Sequence, residues 1–117
     1  MIQKGHVFLT TSDTEVVLTA FQEWGLESVS RFHGMWAMAI FDLQDRKLYL
    51  CRDRIGVKPL YWYWDQHTFL FASELKAFHQ CSLFNKQIEP VAVSEFLSYG
   101  YISSPGSIYK HCATLID

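Results

Sequence analysis

Met35-Trp-Ala-Met-Ala-Ile-Phe41 is the longest apolar run in the chain. It is continuously apolar and too short for a good helix, so it reads as a strand buried on both faces. Working outward, Asp42-Leu-Gln-Asp45 is polar turn material and Lys47-Leu-Tyr-Leu-Cys51 is a second strand. The short polar link predicts an antiparallel hairpin. Arg52 to Pro59 is a charged loop, Leu60–Trp64 a third strand and Thr68–Ala72 a fourth, with Asp65-Gln-His67 turning between them. Ser73 can cap a helix running to about Phe78.

Upstream of the strands, Ser12-Asp-Thr-Glu15 has the S-x-x-E form of a capping box. The Ser12 hydroxyl can accept from the Glu15 N–H, and the Glu15 carboxylate can reach back. Val17, Ala20, Phe21 and Trp24 then fall at i, i+3, i+4 and i+7, one face of a helix over Asp13–Trp24. Gly25 is expected to stop it in the left-handed region. A short second helix is expected from about Glu27 to Phe32. Downstream, Cys81 to Glu89 reads as a loop, and Pro90 sits at the first position of a last helix that ends near Gly100. The tail, Tyr101–Asp117, contains Ser103-Ser-Pro-Gly106 and is expected to be irregular. No repeat, linker or low-complexity segment is evident.

The length, 117 residues, suits one small domain. Aromatics make up 16% and charged residues 19%, the opposite of a disordered tail. A formal net charge of −2 gives no basic surplus for nucleic acid or an anionic membrane surface. The longest apolar run is far short of a membrane span. The N-terminus carries a lone Lys4 and no apolar h-region, so no signal peptide is read there. Three cysteines, Cys51, Cys81 and Cys112, do not form a disulfide framework, and a cytoplasmic location is expected. Nine Phe, six Tyr and four Trp imply either an unusually aromatic core or surface meant for something outside the chain.

Few motifs carry chemistry by themselves. The five histidines make no i, i+4 pair and no C-x-x-C occurs, so no metal site is expected. No glycine-rich phosphate loop is present. The aromatic strand at Tyr61–Trp64 lacks the basic surround that base stacking requires, which favours core packing. Arg52-Asp-Arg54 could be a solvated or ion-paired loop. Gly56, which permits a turn closed to other residues, and Pro59, which stiffens the next strand, raise it to a candidate site wall. Asp13 has a plain alternative too, since a carboxylate at a helix N-terminus is stabilised whether or not it binds anything.

Taken together these segments resemble a known family. Thr11-Ser-Asp-Thr-Glu-Val16 with a helix ending Trp24-Gly25, Gly34-Met-Trp-Ala-Met-Ala-Ile-Phe-Asp42, Arg52-Asp-Arg-Ile-Gly-Val-Lys-Pro-Leu-Tyr61 and Phe71-Ala-Ser-Glu-Leu-Lys-Ala77 are similar to collinear motifs of class-II glutamine amidotransferase domains. Ile88-Glu-Pro90 to Ile108-Tyr-Lys110 resembles the glutamine-hydrolysing asparagine synthetases in particular. The resemblance implies an α+β fold, part of the αββα sandwich of N-terminal-nucleophile (Ntn) hydrolases. In it, four strands form one antiparallel sheet with helices packed on one face, and residues 1–117 are a single partial domain. It implies a parent reaction in which glutamine is hydrolysed and the ammonia passes to an ATP-activated aspartate.

The family's nucleophile is an N-terminal cysteine, whereas residue 2 here is Ile. The segments that hold the glutamine carboxylate and form the oxyanion hole have no counterpart in these residues. Amide hydrolysis needs both an activated nucleophile and oxyanion donors. The expectation is therefore no catalytic residue and no glutaminase activity from these residues alone. Asp13 carries over as the contact for the substrate α-ammonium, a charge-assisted bond suited to a carboxylate. Ser12, Arg52, Asp53, Gly56 and Lys58 carry over as site scaffold. No cofactor is expected. Alternatives stay open: a split or decayed glutaminase, a non-catalytic binding or oligomerisation module, and a glutamine sensor that would leave both other ends of its ligand unheld. Expected partners are a second copy in a two-fold dimer through the exposed sheet face, or a complementary N-terminal glutaminase segment, with neither nucleic acid nor membrane. Cys51 is expected to be a structural, unreactive thiol, with Arg52 on the opposite face of the strand.

Overall fold

A computed structural model describes residues 5–116. The N-terminal signal-peptide reading and Ile2 lie outside the described residues, as does Asp117. The chain divides into two compact units, Met1–Gly34 and Met35–Asp117, and each is described by itself.

In the first unit, helix α1 spans Asp13–Trp24 as its apolar spacing predicts, with Ala20 buried. Gly25 closes it by donating its N–H to the Phe21 carbonyl. Its φ of 57° and ψ of −140° lie outside the left-handed helical region expected. The following helix is a 3-10 helix at Gly25–Arg31, which begins at the closing glycine itself. Ser28 is fully buried and returns its hydroxyl to the Gly25 carbonyl at 2.7 Å. The Arg31 guanidinium lies 4.4 Å from the Trp24 ring centroid, a cation–π contact that pins the 3-10 helix to the end of α1.

The second unit is mostly strand. Strands β1 (Ala37–Asp42) and β2 (Lys47–Arg52) form the expected antiparallel hairpin, with Met38 opposite Cys51 and Phe41 opposite Leu48. Strands β3 (Tyr61–Trp64) and β4 (Phe69–Ala72) form a second hairpin. The single four-stranded sheet expected from the sequence is not what forms. The described residues hold one sheet of order β1-β2 and another of order β4-β3-β5. A strand has only two edges. One edge of β3 is taken by β4 and the other by β5 (Cys112–Thr114), which leaves no place for β2. The tail is therefore not irregular throughout, because it supplies β5 on the edge of β3 away from β4.

The core sits on one face of β4-β3-β5. Tyr63, Phe78 and Cys112 are buried there, with Tyr61, Leu70, Leu75, Phe84 and Tyr109 packed around them. Tyr63 meets Phe84 edge-on at 5.1 Å between centroids, the geometry that ring quadrupoles favour. Its hydroxyl donates to Asp65 Oδ2 at 2.9 Å. Phe78 comes from a 3-10 helix at Leu75–Gln80. Glu74, not Ser73, stands at that helix's N-cap, and it makes no side-chain capping bond. Helix α2 (Pro90–Tyr99) forms as the sequence predicts, capped by the Glu89 side chain on the Val91 N–H and closed by Gly100 at φ 80°.

The strand expected to be buried on both faces is covered on one. Ile40 is buried, whereas Phe41 is 57% exposed. The register places Ala37, Ala39, Phe41, Leu48, Leu50 and Arg52 together on the open face.

Candidate functional site

Asp13 is the first residue of α1 and its side chain is exposed. A carboxylate here would ordinarily serve the orphan N–H groups of the first turn. Ser12 serves one of them. Ser12 Oγ accepts from the Thr14 N–H at 3.2 Å, one residue short of the expected Glu15 N–H. Glu15 reaches back beyond Ser12. Its carboxylate accepts from the Leu9 N–H at 2.7 Å, from the Thr10 N–H at 2.8 Å and from the Thr10 hydroxyl. The Thr10 hydroxyl and then the Leu9 N–H hold the Glu15 carboxyl below its ordinary range. The Ser12 N–H is met by Thr10 Oγ1 at 3.2 Å. The Asp13 carboxylate is left without a hydrogen bond or ion pair among the described residues.

The second cluster is the loop at 52–58. Asp53 is only 4% exposed, yet it pairs with neither flanking arginine. Its carboxylate accepts from the backbone N–H groups of Val57 at 3.1 Å, Lys58 at 3.2 Å and Trp36 at 3.3 Å. Its own N–H donates to the Trp36 carbonyl at 2.9 Å, and its carbonyl accepts from the Gly56 N–H at 2.8 Å. Burial works to raise the Asp53 pKa. The donations from Val57, Lys58, Trp36 and Gly56 outweigh it and hold the carboxyl below its ordinary range. Asp53 is thus a staple between the start of β1 and the far side of the loop. Its place in the chain requires a turn that Gly56 makes at φ 69°. The Arg52 guanidinium lies over Gly56, where a Cβ would fall 1.7 Å from Nη2. Arg52 Nε is buried with no acceptor among the described residues.

The staple shapes an open cleft of about 480 Å³. Met35, Trp36 and Ala37 form one wall, Lys58 and Pro59 another, and Ser73 with Glu74 the third. Asp53 joins the first two walls through the Trp36 and Lys58 N–H groups. Arg52, Asp53, Gly56 and Lys58 therefore form one cluster, as grouped from the sequence, and Ser12 and Asp13 form another in the first unit. The sequence did not single out Trp36, whose two backbone groups hold Asp53. Extending the hairpin register by one residue beyond Ala37–Arg52 would have found it.

The three cysteines are unpaired. Burial pushes the Cys51 thiol pKa up and that of Cys112 to about 11. Such thiols stay protonated near neutral pH and are poor nucleophiles. Among the described residues, no three His, Cys, Asp or Glu side chains gather as a metal ion requires, and no helix is long and apolar enough to cross a membrane.

The chain is similar to "Putative asparagine synthetase (glutamine-hydrolyzing) 2" of Methanocaldococcus jannaschii, 44% identical over 104 residues. That match covers 87% of this chain and 20% of the relative. It is 36% identical over 108 residues to asparagine synthetase (glutamine-hydrolyzing) 3 of Bacillus subtilis, covering 92% of this chain and 18% of that one. A similar enzyme of rice, asparagine synthetase (glutamine-hydrolyzing) 2, is 40% identical over 75 residues, 63% of this chain and 13% of that one. The chain thus spans about a fifth or less of these relatives' length. The family profile for the glutamine amidotransferase domain matches residues 1–117, and the chain belongs to that family.

Proposed function

We propose that these residues form a partial glutaminase domain of an asparagine synthetase-like enzyme, in which Asp13 holds the α-ammonium of glutamine. The parent reaction is glutamine hydrolysis, with the ammonia used in ATP-dependent asparagine formation. The observation that carries the proposal is the division of labour at the start of α1. Ser12 and Glu15 satisfy the local backbone, and Asp13 keeps an exposed carboxylate that the fold does not use. A carboxylate so placed can make a short charge-assisted bond to an ammonium. Ser12 fixes the helix start behind it. Arg52, Asp53, Gly56 and Lys58 act as scaffold, with the Asp53 staple holding the loop and Lys58 standing on the cleft wall. Three unpaired cysteines suit a reducing, cytoplasmic setting.

In this role the residues are not catalytic by themselves. The Cys51 and Cys112 thiols are held protonated by burial. Incubated with L-glutamine, the 117-residue chain is expected to release ammonia at the rate of a buffer control. Ammonia release above that rate, abolished by Asp13→Ala, would contradict the absence of catalysis by these residues alone while leaving the role of Asp13 standing.

A further inference from the structure

Three side chains close a chain of hydrogen bonds around Asp13. The Glu15 carboxylate accepts from the Leu9 N–H at 2.7 Å, from the Thr10 N–H at 2.8 Å and from the Thr10 hydroxyl. Thr10 Oγ1 accepts in turn from the Ser12 N–H at 3.2 Å, and Ser12 Oγ from the Thr14 N–H at 3.2 Å. The residues on either side of Asp13 are thus each held. A plain capping box would need the Glu15 carboxylate only at the Ser12 N–H. Here Glu15 passes over Ser12 and grips the chain at Leu9 and Thr10, leaving the Ser12 N–H to Thr10. Of the two acidic groups in the first turn, Asp13 alone keeps its carboxylate free among the described residues. The same entering segment is clipped to the far end of α1, where His6 Nε2 lies 3.2 Å from Glu23 Oε2. Glu23 stands ten residues along the helix from Asp13, roughly 15 Å away.

We propose that Glu15 is a positioning residue for the ammonium of glutamine, holding through Thr10 and Ser12 the backbone that aims the Asp13 carboxylate. The inference rests on the reading of Asp13 as the ammonium's partner. A carboxylate meets an ammonium through a short, charge-assisted bond, so the group must be fixed before the substrate arrives. A loose backbone would have to be ordered on binding instead. Ordering one residue's backbone weakens an equilibrium by roughly five- to thirtyfold. The Glu15 network bears that ordering in the folded chain, ahead of binding. The negative charge of Glu15 is not the source of the effect, because the network also runs through the Thr10 hydroxyl, which carries no charge. A stabilising role and a positioning role therefore part company. Loss of stability leaves the affinity of the folded chain unchanged, and loss of positioning lowers it.

Titration of the isotopically labelled 117-residue chain with L-glutamine, read at the Ser12, Asp13 and Thr14 amides, tests it, with circular dichroism confirming that each variant is folded at the temperature used. Glu15→Gln and Thr10→Val are each expected to raise the dissociation constant by roughly five- to thirtyfold. The double variant is expected to be no weaker than the worse single one, since both break the same network. Thr10→Ser, which keeps the hydroxyl, is expected to recover wild-type affinity. His6→Ala, which releases only the far clip, is expected to leave affinity unchanged. Wild-type affinity in folded Glu15→Gln or Thr10→Val overturns the positioning role and leaves the Asp13 reading standing. So does a loss of affinity in His6→Ala equal to that in Glu15→Gln. Binding that survives Asp13→Asn, or no binding at millimolar glutamine in the wild-type chain, overturns the Asp13 reading and this inference with it.

Discussion

At the scale of single residues, two carboxylates of one type take opposite parts. Asp53 is consumed by the fold, and Asp13 is spared by it. Asp53 and the exposed-loop alternative for Arg52-Asp-Arg54 could not be separated from sequence, because the deciding partners are backbone N–H groups that any residue supplies. The same holds for Asp65, whose carboxyl is held down to about 2 by the Thr68 and His67 N–H groups and the Tyr63 hydroxyl. Both groups have folded pKa values below the ordinary 3.8. Their contribution to stability is therefore complete above about pH 4 and is lost as pH falls through the folded values, for Asp65 down to about 2. Urea midpoints measured from pH 6 to 2 should fall over this window, and Asp65→Asn should flatten part of the fall. Gly56 yields a separate test. At φ 69°, an added Cβ is strained and also meets the Arg52 guanidinium. Gly56→Ala is expected to cost about 1–2 kcal/mol, and less in an Arg52→Ala background, measured by equilibrium unfolding.

Among the elements, those written by local rules were legible. Both α-helices follow from apolar spacing and caps, and both hairpins from short polar turns. Pairing between distant segments was not legible. Three residues, Cys112–Thr114, decide the sheet order by occupying an edge of β3, and nothing in so short a segment announces a strand. The helices at Gly25–Arg31 and Leu75–Gln80 are too short for period alone to separate 3-10 from α geometry. The start of α1 separates capping from binding by experiment. Ser12→Ala removes the acceptor for the Thr14 N–H and is expected to cost about 1 kcal/mol. Asp13→Ala removes a side chain the fold does not use and should lie within about 0.5 kcal/mol of wild type. Thermal unfolding of the two variants checks the contrast. An Asp13→Ala cost equal to that of Ser12→Ala would make Asp13 a cap.

For the molecule as a whole, the chain is a member of the glutamine amidotransferase domain family that spans about a fifth of the length of its asparagine synthetase relatives. Its aromatic abundance divides between a packed core around Tyr63 and open sheet surface at Phe41, Trp64, Phe69 and Phe71. The composition left two alternatives open, an unusually aromatic core or aromatic surface turned outward. Which residues remain open depends on the sheet order, which the sequence left hidden. The central claim is that a carboxylate free of structural duty at Asp13 receives the ammonium of glutamine. The most direct measurement is a titration of the isotopically labelled 117-residue chain with L-glutamine, following the backbone amide resonances of Ser12, Asp13 and Thr14. The account predicts saturable shifts at these three positions. The shifts should be absent with the Asp13→Asn variant and with the α-keto analogue of glutamine, which has no ammonium. Shifts that persist in Asp13→Asn, or none at millimolar glutamine in the wild-type chain, would contradict it.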